Sequence, residues 1–514
     1  MPVRWLVVAL ASVALLAAAL PAAAVPAAAK PGAPGLGDRL VPLLGNGGYD
    51  VLHYDLHLRY ATSDPAQSID GNETIHARAT QSLSRFNLDF AGADLGGVSV
   101  NGAPAEFTRD GEELVVTPDR PIRDGAHFVV RITDFVAIPT EISDDVTSTA
   151  FFITPDGSAT APQPYFAHFI YPCNDHPRDK ATFTFTFDVP AGIDAVANGV
   201  ETRHRTEHGR TIWTYEMEQP MATELTQLAV GDWDLDYPGR HDGVILREVT
   251  APSLTDFVQP ALAFDPEQLD WMKARVGRYP FDIFGNLVVD QDVGFALETQ
   301  TISLVDITWF SDFPQGVWEP TMLHELSHMW FGDSVSPYEW SDLWMNEGHA
   351  SWYEFLYAEE RGELEEDTTF WPDEQGYATL EELMRHVYAH GDQWRHDYGP
   401  VARPSSGDAN DIFSFQVYHG GALVLYALRQ KIGTDAFDRL ERAWVERYEG
   451  ESASTADFIR LAVQVSDQSI GGFLRRWLFG EKTPPMPGHP DWKVDPVVDQ
   501  APLTAEQQHR LRRR

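Results

Sequence analysis

The 514-residue chain has one cysteine, Cys173, so an intrachain disulfide in the monomer is excluded. It is also poor in positive charge, since 38 Lys and Arg face 77 Asp and Glu and the formal net charge is −39. This balance argues against nucleic acid or an anionic membrane surface as the main partner. After residue 29 no apolar run is long enough to span a bilayer, so we expect a soluble mature chain.

The first 29 residues have the pattern of a secretory signal peptide. Arg4 supplies positive charge before the apolar run Leu6–Leu20, which at 15 residues is short for a membrane span. Small-residue cleavage sites follow at 22–24 and 27–29, and an uncleaved anchor is the alternative. We expect residues 1–29 to be removed and the protein to be secreted as an extracellular monomer without membrane attachment.

Composition and periodicity divide the remaining chain into four regions, because it is too long for one ordinary core. Residues 30–45, rich in Gly, Pro and Ala, are expected to be a flexible leader. Alternating apolar and polar residues predict an N-terminal all-β domain over 46–245, an antiparallel sandwich or saddle. Helical periodicity dominates 246–482, the expected catalytic domain. Residues 483–514 are expected to be a Pro-rich and basic C-terminal tail.

The stretch His324-Glu325-Leu326-Ser327-His328 is the most informative in the chain. Residues four apart share a face of an α-helix, so two imidazoles can aim at one point with Glu325 beside them. Pro320 in a first turn and Gly332 at the end predict a helix over 319–331.

The third ligand is expected in a second helix that Ser341 or Asp342 can cap. This helix runs towards Tyr357, and Gly362 can stop it. That helix carries Glu347, with 18 residues between it and His328. A hydrolytic zinc site needs three protein ligands and an open position for water, which predicts one Zn²⁺ per chain held by His324, His328 and Glu347. Glu325, which is not needed as a ligand, suits the general base.

Residues 324–353, HELSHMWFGDSVSPYEWSDLWMNEGHASWY, strongly resemble the M1 aminopeptidases, which are gluzincins with a thermolysin-like catalytic domain. Further matches are to the family's Gly-x-Met-Glu-Asn loop, its Tyr-x-x-Gly-Ala segment, its Phe-Pro-Cys-x-Asp-x-Pro segment and its Phe-Gly-x-Tyr-Pro-Phe run. They lie at 294–300 (GFALETQ), 418–422 (YHGGA), 171–177 (YPCNDHP) and 276–281 (VGRYPF).

The resemblance implies a two-domain secreted zinc aminopeptidase, with a β domain before a thermolysin-like α/β and α-helical domain. It implies that Tyr418 donates to the tetrahedral oxyanion. It also implies that Glu298 binds the substrate's free α-amine, in a loop whose Ala296 contacts substrate. The family's N-domain Gln-x-Glu segment has its best equivalent at Gln163, where the acid is missing. The expected partners are therefore peptides with a free N-terminus.

Three other functions fit parts of the same pattern. A zinc endopeptidase or an epoxide hydrolase would use the same scaffold, although Glu298 argues against a plain endopeptidase. A catalytically inactive peptide-binding protein would also keep the fold, although His324, Glu325, His328, Glu347 and Tyr418 are all intact.

Overall fold

The computed structural model describes Met1 and residues 28–140, 150–369 and 375–498. The expected signal peptide and the last sixteen residues of the expected tail fall largely outside these ranges. The described chain has a strand-rich N-terminal part followed by a helical part, as predicted. None of the described helices is both long enough and apolar enough to cross a membrane.

The strands are β1 (Lys30–Pro31), β2 (Tyr49–Arg59), β3 (Ile69–Ala79), β4 (Leu83–Asp89), β5 (Gly97–Val100), β6 (Ala103–Pro104), β7 (Glu106–Asp110), β8 (Glu113–Thr117), β9 (His127–Ala137), β10 (Phe151–Thr154), β11 (Gly157–Thr160), β12 (Ala181–Pro190), β13 (Asp194–Ala197), β14 (Val200–Glu207), β15 (Arg210–Met221), β16 (Leu228–Gly231), β17 (Asp234–His241), β18 (Val244–Thr250), β19 (Ile283–Val289), β20 (Ser303–Asp306), β21 (Ser336–Pro337) and β22 (Ser452–Ala453).

The helices are α1 (Thr255–Leu262), α2 (Asp265–Val276), α3 (Thr308–Asp312), α4 (Gln315–His328), α5 (Trp344–Arg361), α6 (Leu364–Thr369), α7 (Leu380–Tyr398), α8 (Ala409–Ile412), α9 (His419–Ile432), α10 (Thr434–Tyr448), α11 (Thr455–Ser466) and α12 (Gly471–Phe479). Short 3-10 turns occur at Ala167–Phe169, Thr223–Leu225 and Trp340–Asp342.

The N-terminal part is built on an eight-stranded sheet with the order β14-β15-β12-β2-β3-β9-β5-β6. Strand β12 shows why it forms, because its residues alternate between buried and half-buried and Phe183, Phe185 and Phe187 all face the core. The expected sandwich or saddle of antiparallel strands needs one correction, since β12 runs parallel to β2. Two four-stranded sheets, β1-β4-β8-β7 and β10-β11-β16-β13, complete this part.

A second sheet, β17-β18-β19-β20, begins the catalytic part. Its inner strands are parallel and β19 is buried along its whole length, which is typical of a sheet covered on both faces. The expected boundary between 245 and 246 therefore falls inside β18. Strand β17, which pairs with β18, also belongs to the catalytic sheet.

Residues 30–45 are packed against the protein, which contradicts the expected flexible leader. Strand β1 pairs with β4. Asp38, 1% exposed, accepts hydrogen bonds from the backbone N–H of Trp340 at 2.8 Å and from His176 Nε2 at 3.2 Å. The leader therefore contacts both halves of the molecule, a role that its Gly- and Pro-rich composition did not reveal.

The helical part agrees with the helical periodicity that the sequence predicts for it. The expected tail is partly wrong, because residues 483–498 continue the fold. Trp492 is buried and stacks on Tyr426 with ring centroids 5.9 Å apart, and the Asp495 N–H donates to the carbonyl of Ala389 at 2.8 Å. Cys173 is buried, as expected of a structural thiol, and burial raises its pKa.

Candidate metal centre

Helices α4 and α5 carry the expected metal ligands and pack against each other. Helix α4 begins at Gln315 and not at 319, so Pro320 lies in its second turn. Helix α5 begins at Trp344, and the expected cap Asp342 instead accepts from the Thr455 N–H at 2.9 Å. Gly362, in the left-handed region with φ 76°, ends α5 as predicted.

A close approach between α5 and α9 brings a third helix to the site. A Cβ atom on Gly348 would lie 2.8 Å from the Cα of Gly421, so neither position has room for a side chain. Gly348 directly follows Glu347, and Tyr418 caps the N-terminus of α9. The two glycines thus place the tyrosine opposite the glutamate.

The structure brings the three predicted ligands together. His324 Nε2 and His328 Nε2 lie 3.5 and 3.4 Å from the same oxygen, Glu347 Oε2. No hydrogen bond among the described residues satisfies that buried oxygen. Two imidazole nitrogens and one carboxylate oxygen within 4.8 Å of one another are a donor set that fits Zn²⁺.

Each histidine is oriented through its other ring nitrogen. His324 Nδ1–H donates to Glu354 Oε2 at 2.7 Å, and His328 Nδ1–H donates to Asn346 Oδ1. These bonds fix the tautomers and leave both Nε2 atoms free for a metal. Sequence reasoning missed both partners, although Glu354 lies two helical turns after Glu347 and Asn346 directly precedes it.

Gly332 makes room for this arrangement behind the histidines. Its φ is 135°, and a Cβ atom there would lie 2.1 Å from Asn346 Oδ1. The Asn346 amide therefore occupies the space that a side chain at 332 would fill. Its Nδ2 donates to Glu298 Oε1 at 3.1 Å, which connects the metal ligands to the loop that carries Glu298.

Charge coupling inside the site is strong because every ligand is buried. Burial opposes the charge on Glu347, but the imidazolium rings of His328 and His324 outweigh it and lower the pKa of Glu347 to about 2. Burial likewise opposes the charge on His328, yet Glu298 and Glu347 raise its pKa to about 9. A divalent cation would displace these imidazolium protons when it binds.

Glu325 lies beside the ligands without an ion-pair partner of its own. It is 6% exposed, and Oε2 has no hydrogen bond among the described residues. Burial raises its pKa to about 8 against the opposing effect of His324 and His328, and Glu298 and Glu347 add smaller upward contributions. Its carboxylate is within 4.8 Å of the ligand atoms of His328 and Glu298, where a metal-bound water would meet it.

Tyr418 faces the metal ligands from α9. Its ring stacks on His324 with the ring centroids 5.9 Å apart and an interplanar angle of 14°. Burial and the carboxylates of Glu347 and Glu298 raise the pKa of the phenol well above its usual value. The hydroxyl therefore stays protonated at neutral pH and remains a hydrogen-bond donor, as the oxyanion role requires.

The loop of residues 294–300, which carries Glu298, is also part of the site. Reciprocal backbone hydrogen bonds of 2.8 Å between Leu297 and Leu304 hold Glu298, which is 3% exposed. Gln163 Nε2 donates to Glu298 Oε1 at 2.7 Å and to Glu224 Oε2 at 3.3 Å. Ala296 is half-buried, and its side chain packs on an apolar cluster that includes Trp309.

Two family models match the chain, Peptidase M1 N-terminal domain over residues 51–225 and Peptidase family M1 domain over residues 292–477. Aminopeptidase N of Streptomyces lividans is 26% identical over 321 residues, which are 59% of this chain and 36% of that protein. Leucine aminopeptidase 2 of Aspergillus fumigatus is 24% identical and aligns with 80% of this chain and 68% of its own length. The chain thus spans only about a third of the first of these relatives.

Solved structures extend over nearly the whole described chain. The crystal structure of an M1 zinc metallopeptidase from Deinococcus radiodurans is 28% identical, has a TM-score of 0.73, and covers 88% of this chain and 98% of its own. A second crystal structure is that of a glutamate-to-alanine mutant of an M1 zinc metallopeptidase from Deinococcus radiodurans bound to a Tyr-Ser-Ala substrate. It has the same identity and TM-score, and the alignment covers 89% of this chain and 100% of that one.

Proposed function

The chain belongs to peptidase family M1, and from this premise we propose that it is a secreted zinc aminopeptidase. It would hydrolyse the N-terminal peptide bond of peptides through a metal-activated water. The relatives named aminopeptidase N and leucine aminopeptidase 2 support this activity.

One observation carries the proposal, namely the position of Glu298 beside the ligand His328 and the expected base Glu325. A hydrolytic zinc site alone fits endopeptidases as well as exopeptidases. A buried carboxylate within 4.8 Å of the ligand atoms of His328 and the carboxylate of Glu325 offers a fixed counter-ion for the cationic N-terminus of a peptide. The first peptide bond of a substrate anchored there would lie at the metal.

Each group of residues in the site has its own role in the proposed hydrolysis. Zinc bound by His324, His328 and Glu347 supplies a Lewis acid that lowers the pKa of water. Glu325 removes the proton from the attacking water and delivers it to the nitrogen of the leaving amine. Tyr418 donates its hydroxyl proton in a hydrogen bond to the substrate carbonyl oxygen as that oxygen gains negative charge.

Secretion is part of the proposal and is supported by the sequence of residues 1–29. A charged start, a short apolar run and small-residue cleavage sites are the three parts of a signal peptide. The mature enzyme would act outside the cell as a monomer on peptides with a free N-terminus.

The test is to compare kcat/KM for one peptide with a free and with an acetylated N-terminus. Acetylation removes the charge that Glu298 would pair with, so we expect the free peptide to be strongly preferred. In Glu298→Gln the ratio should fall about 10- to 100-fold, since a hydrogen bond to a charged group contributes about 1.5–3 kcal/mol. A wild-type ratio near one would reject the aminopeptidase and favour an endopeptidase.

A further inference from the structure

Glu224 is a buried carboxylate next to the site that lies outside every motif named above. It occupies the 3-10 turn Thr223–Leu225 and is 1% exposed. The turn is fixed in the β domain, because Thr223 Oγ1 donates to Asp175 Oδ1 at 2.8 Å. A carboxylate held this deeply in a protein needs a compensating partner.

The partner in this structure is the side-chain amide of Gln163. The same nitrogen, Nε2, donates to Glu224 Oε2 at 3.3 Å and to Glu298 Oε1 at 2.7 Å. One N–H₂ group is thus shared between two carboxylates from different domains. Only a donor can occupy this position, because an oxygen there would face two acceptors.

A nitrogen that donates to two buried carboxylates has the hydrogen-bond pattern of an ammonium ion. An amide supplies two donors and no charge, whereas an ammonium group supplies three donors and a positive charge. The nearby cation, Lys180, hydrogen-bonds to neither carboxylate, since Nζ donates to the carbonyls of Asp333 and Ser334 at 2.6 and 2.9 Å. Among the described residues the two carboxylates therefore have only neutral amide donors as hydrogen-bond partners, which leaves an excess of negative charge between them.

Asp333 supplies one of the carbonyls that accept from Lys180. Neither of its carboxylate oxygens has a hydrogen bond among the described residues, and the residue is fully buried. A third acidic residue is therefore buried beside Lys180 without a hydrogen bond to its carboxylate.

We propose that Glu224 is the second carboxylate of the amine subsite. The α-ammonium of an unblocked peptide takes the position of the Gln163 amide nitrogen between Glu224 and Glu298. Gln163 then turns its amide so that Oε1 accepts a hydrogen bond from the ammonium. This inference rests on the proposed aminopeptidase function, and it supplies from a different segment the acid that is missing beside Gln163.

The first test is Glu224→Gln, which keeps the shape and removes the charge. The ammonium contact exists in the ground state and the transition state alike, so KM should rise about 10- to 100-fold while kcat changes little. The matched control is Glu73→Gln, because Glu73 is a 2% exposed glutamate of β3 whose carboxylate has no hydrogen bond among the described residues. We expect its KM to equal that of the wild type.

The second test measures binding directly by calorimetry of the zinc-loaded protein with L-leucinamide and N-acetyl-L-leucinamide. Glu224→Gln should weaken leucinamide binding by a similar factor. Glu224→Asp, which keeps the charge, should bind leucinamide more tightly than Glu224→Gln and more weakly than the wild type. Thermal unfolding checks that each variant folds. If Glu224→Gln does not fold, Glu224→Asp carries the test, because its shorter side chain should still raise KM.

Different outcomes overturn different claims. Wild-type protein that does not distinguish leucinamide from its acetylated form would reject the proposed function itself. A strong wild-type preference that is unchanged in both Glu224 variants would reject only the role of Glu224. A loss confined to substrates that begin with Lys or Arg would also reject it, since Glu224 would then recognise the side chain.

Discussion

The metal end and the amine end of the site are assembled in different ways. The three metal ligands come from two helices that follow each other in sequence, α4 and α5. The amine end combines Gln163 and Glu224 from the β domain with Glu298 from the catalytic part. The first arrangement is determined by helical spacing, whereas the second depends on how the two domains pack. We therefore expect zinc binding and the proposed amine recognition to be separable by mutation.

The largest expected effect is at the metal end, in Glu325→Gln. This change removes the general base and spares the three ligands, so zinc content should remain about one per chain. General acid–base catalysis contributes about 10²–10⁴-fold in rate, and we expect kcat to fall by that order. Metal analysis and steady-state kinetics on one sample check both parts. Near-normal turnover with zinc bound would contradict the assigned role.

Tyr418→Phe should have the next largest effect. It removes one hydroxyl donor and leaves the stacking on His324 in place. Loss of an oxyanion donor costs about 10²–10³-fold in kcat, with a much smaller change in KM. Tyr426→Phe is the matched control, because Tyr426 is on the same helix α9 and its hydroxyl contacts His489. Equal rates in the two variants would show that Tyr418 only packs.

Asn346→Ala tests whether the two ends are separable at all. Asn346 Oδ1 accepts from His328, and Nδ2 donates to Glu298. We expect zinc affinity to fall about 10- to 100-fold, as is typical when the group that orients a ligand histidine is removed. KM for free-amine peptides should also rise when zinc is saturating.

Glu354→Gln is the matched comparison for this prediction. It weakens the orientation of His324 but does not contact Glu298, so zinc affinity should fall with no change in KM at saturating zinc. Competition with a chromophoric chelator gives the affinities. If both variants change KM equally, the ends are coupled through the metal and not through Asn346.

The smallest expected effect on activity is at the C-terminal segment 483–498, which holds none of the site residues. Ending the chain at residue 482 removes buried Met486 and Trp492, and each such side chain contributes about 1.5–3 kcal/mol. Urea unfolding should therefore show a loss of about 3–6 kcal/mol in the free energy of unfolding. The ratio of kcat/KM for the free and the acetylated peptide should stay that of the wild type. A chain ending at residue 498 is the control. Equal urea midpoints for the chains ending at 482 and at 498 would mean that residues 483–498 contribute nothing to stability.

The sequence predicts the metal end well because its information is local. Two histidines four apart define a helix face, and Glu347 in Asn-Glu-Gly follows at a spacing that two packed helices can close. The error at the start of α4 is also local in origin. Pro320 suggested a first turn, but the buried residues Gly316 and Val317 belong to a turn that extends the helix before it.

The amine end is predicted only in part because its information is long-range. The resemblance identifies Glu298 and Gln163, and it indicates a missing acid. Glu224 lies 61 residues from Gln163 in sequence, on a turn of ordinary composition. No periodicity or motif connects two segments that meet only after the β domain has folded. The same reason explains the packed leader, whose partner Trp340 is 302 residues from Asp38.

That leader has a practical consequence for recombinant expression. Trimming the gene to begin at residue 46, which the sequence-based domain boundary invites, would delete Asp38 and leave His176 and the Trp340 N–H without their acceptor. Arg39 would be lost with it, and its guanidinium donates to the carbonyl of Pro404 at 2.7 Å. An affinity tag is therefore better placed before residue 30 than spliced in at the apparent start of the β domain.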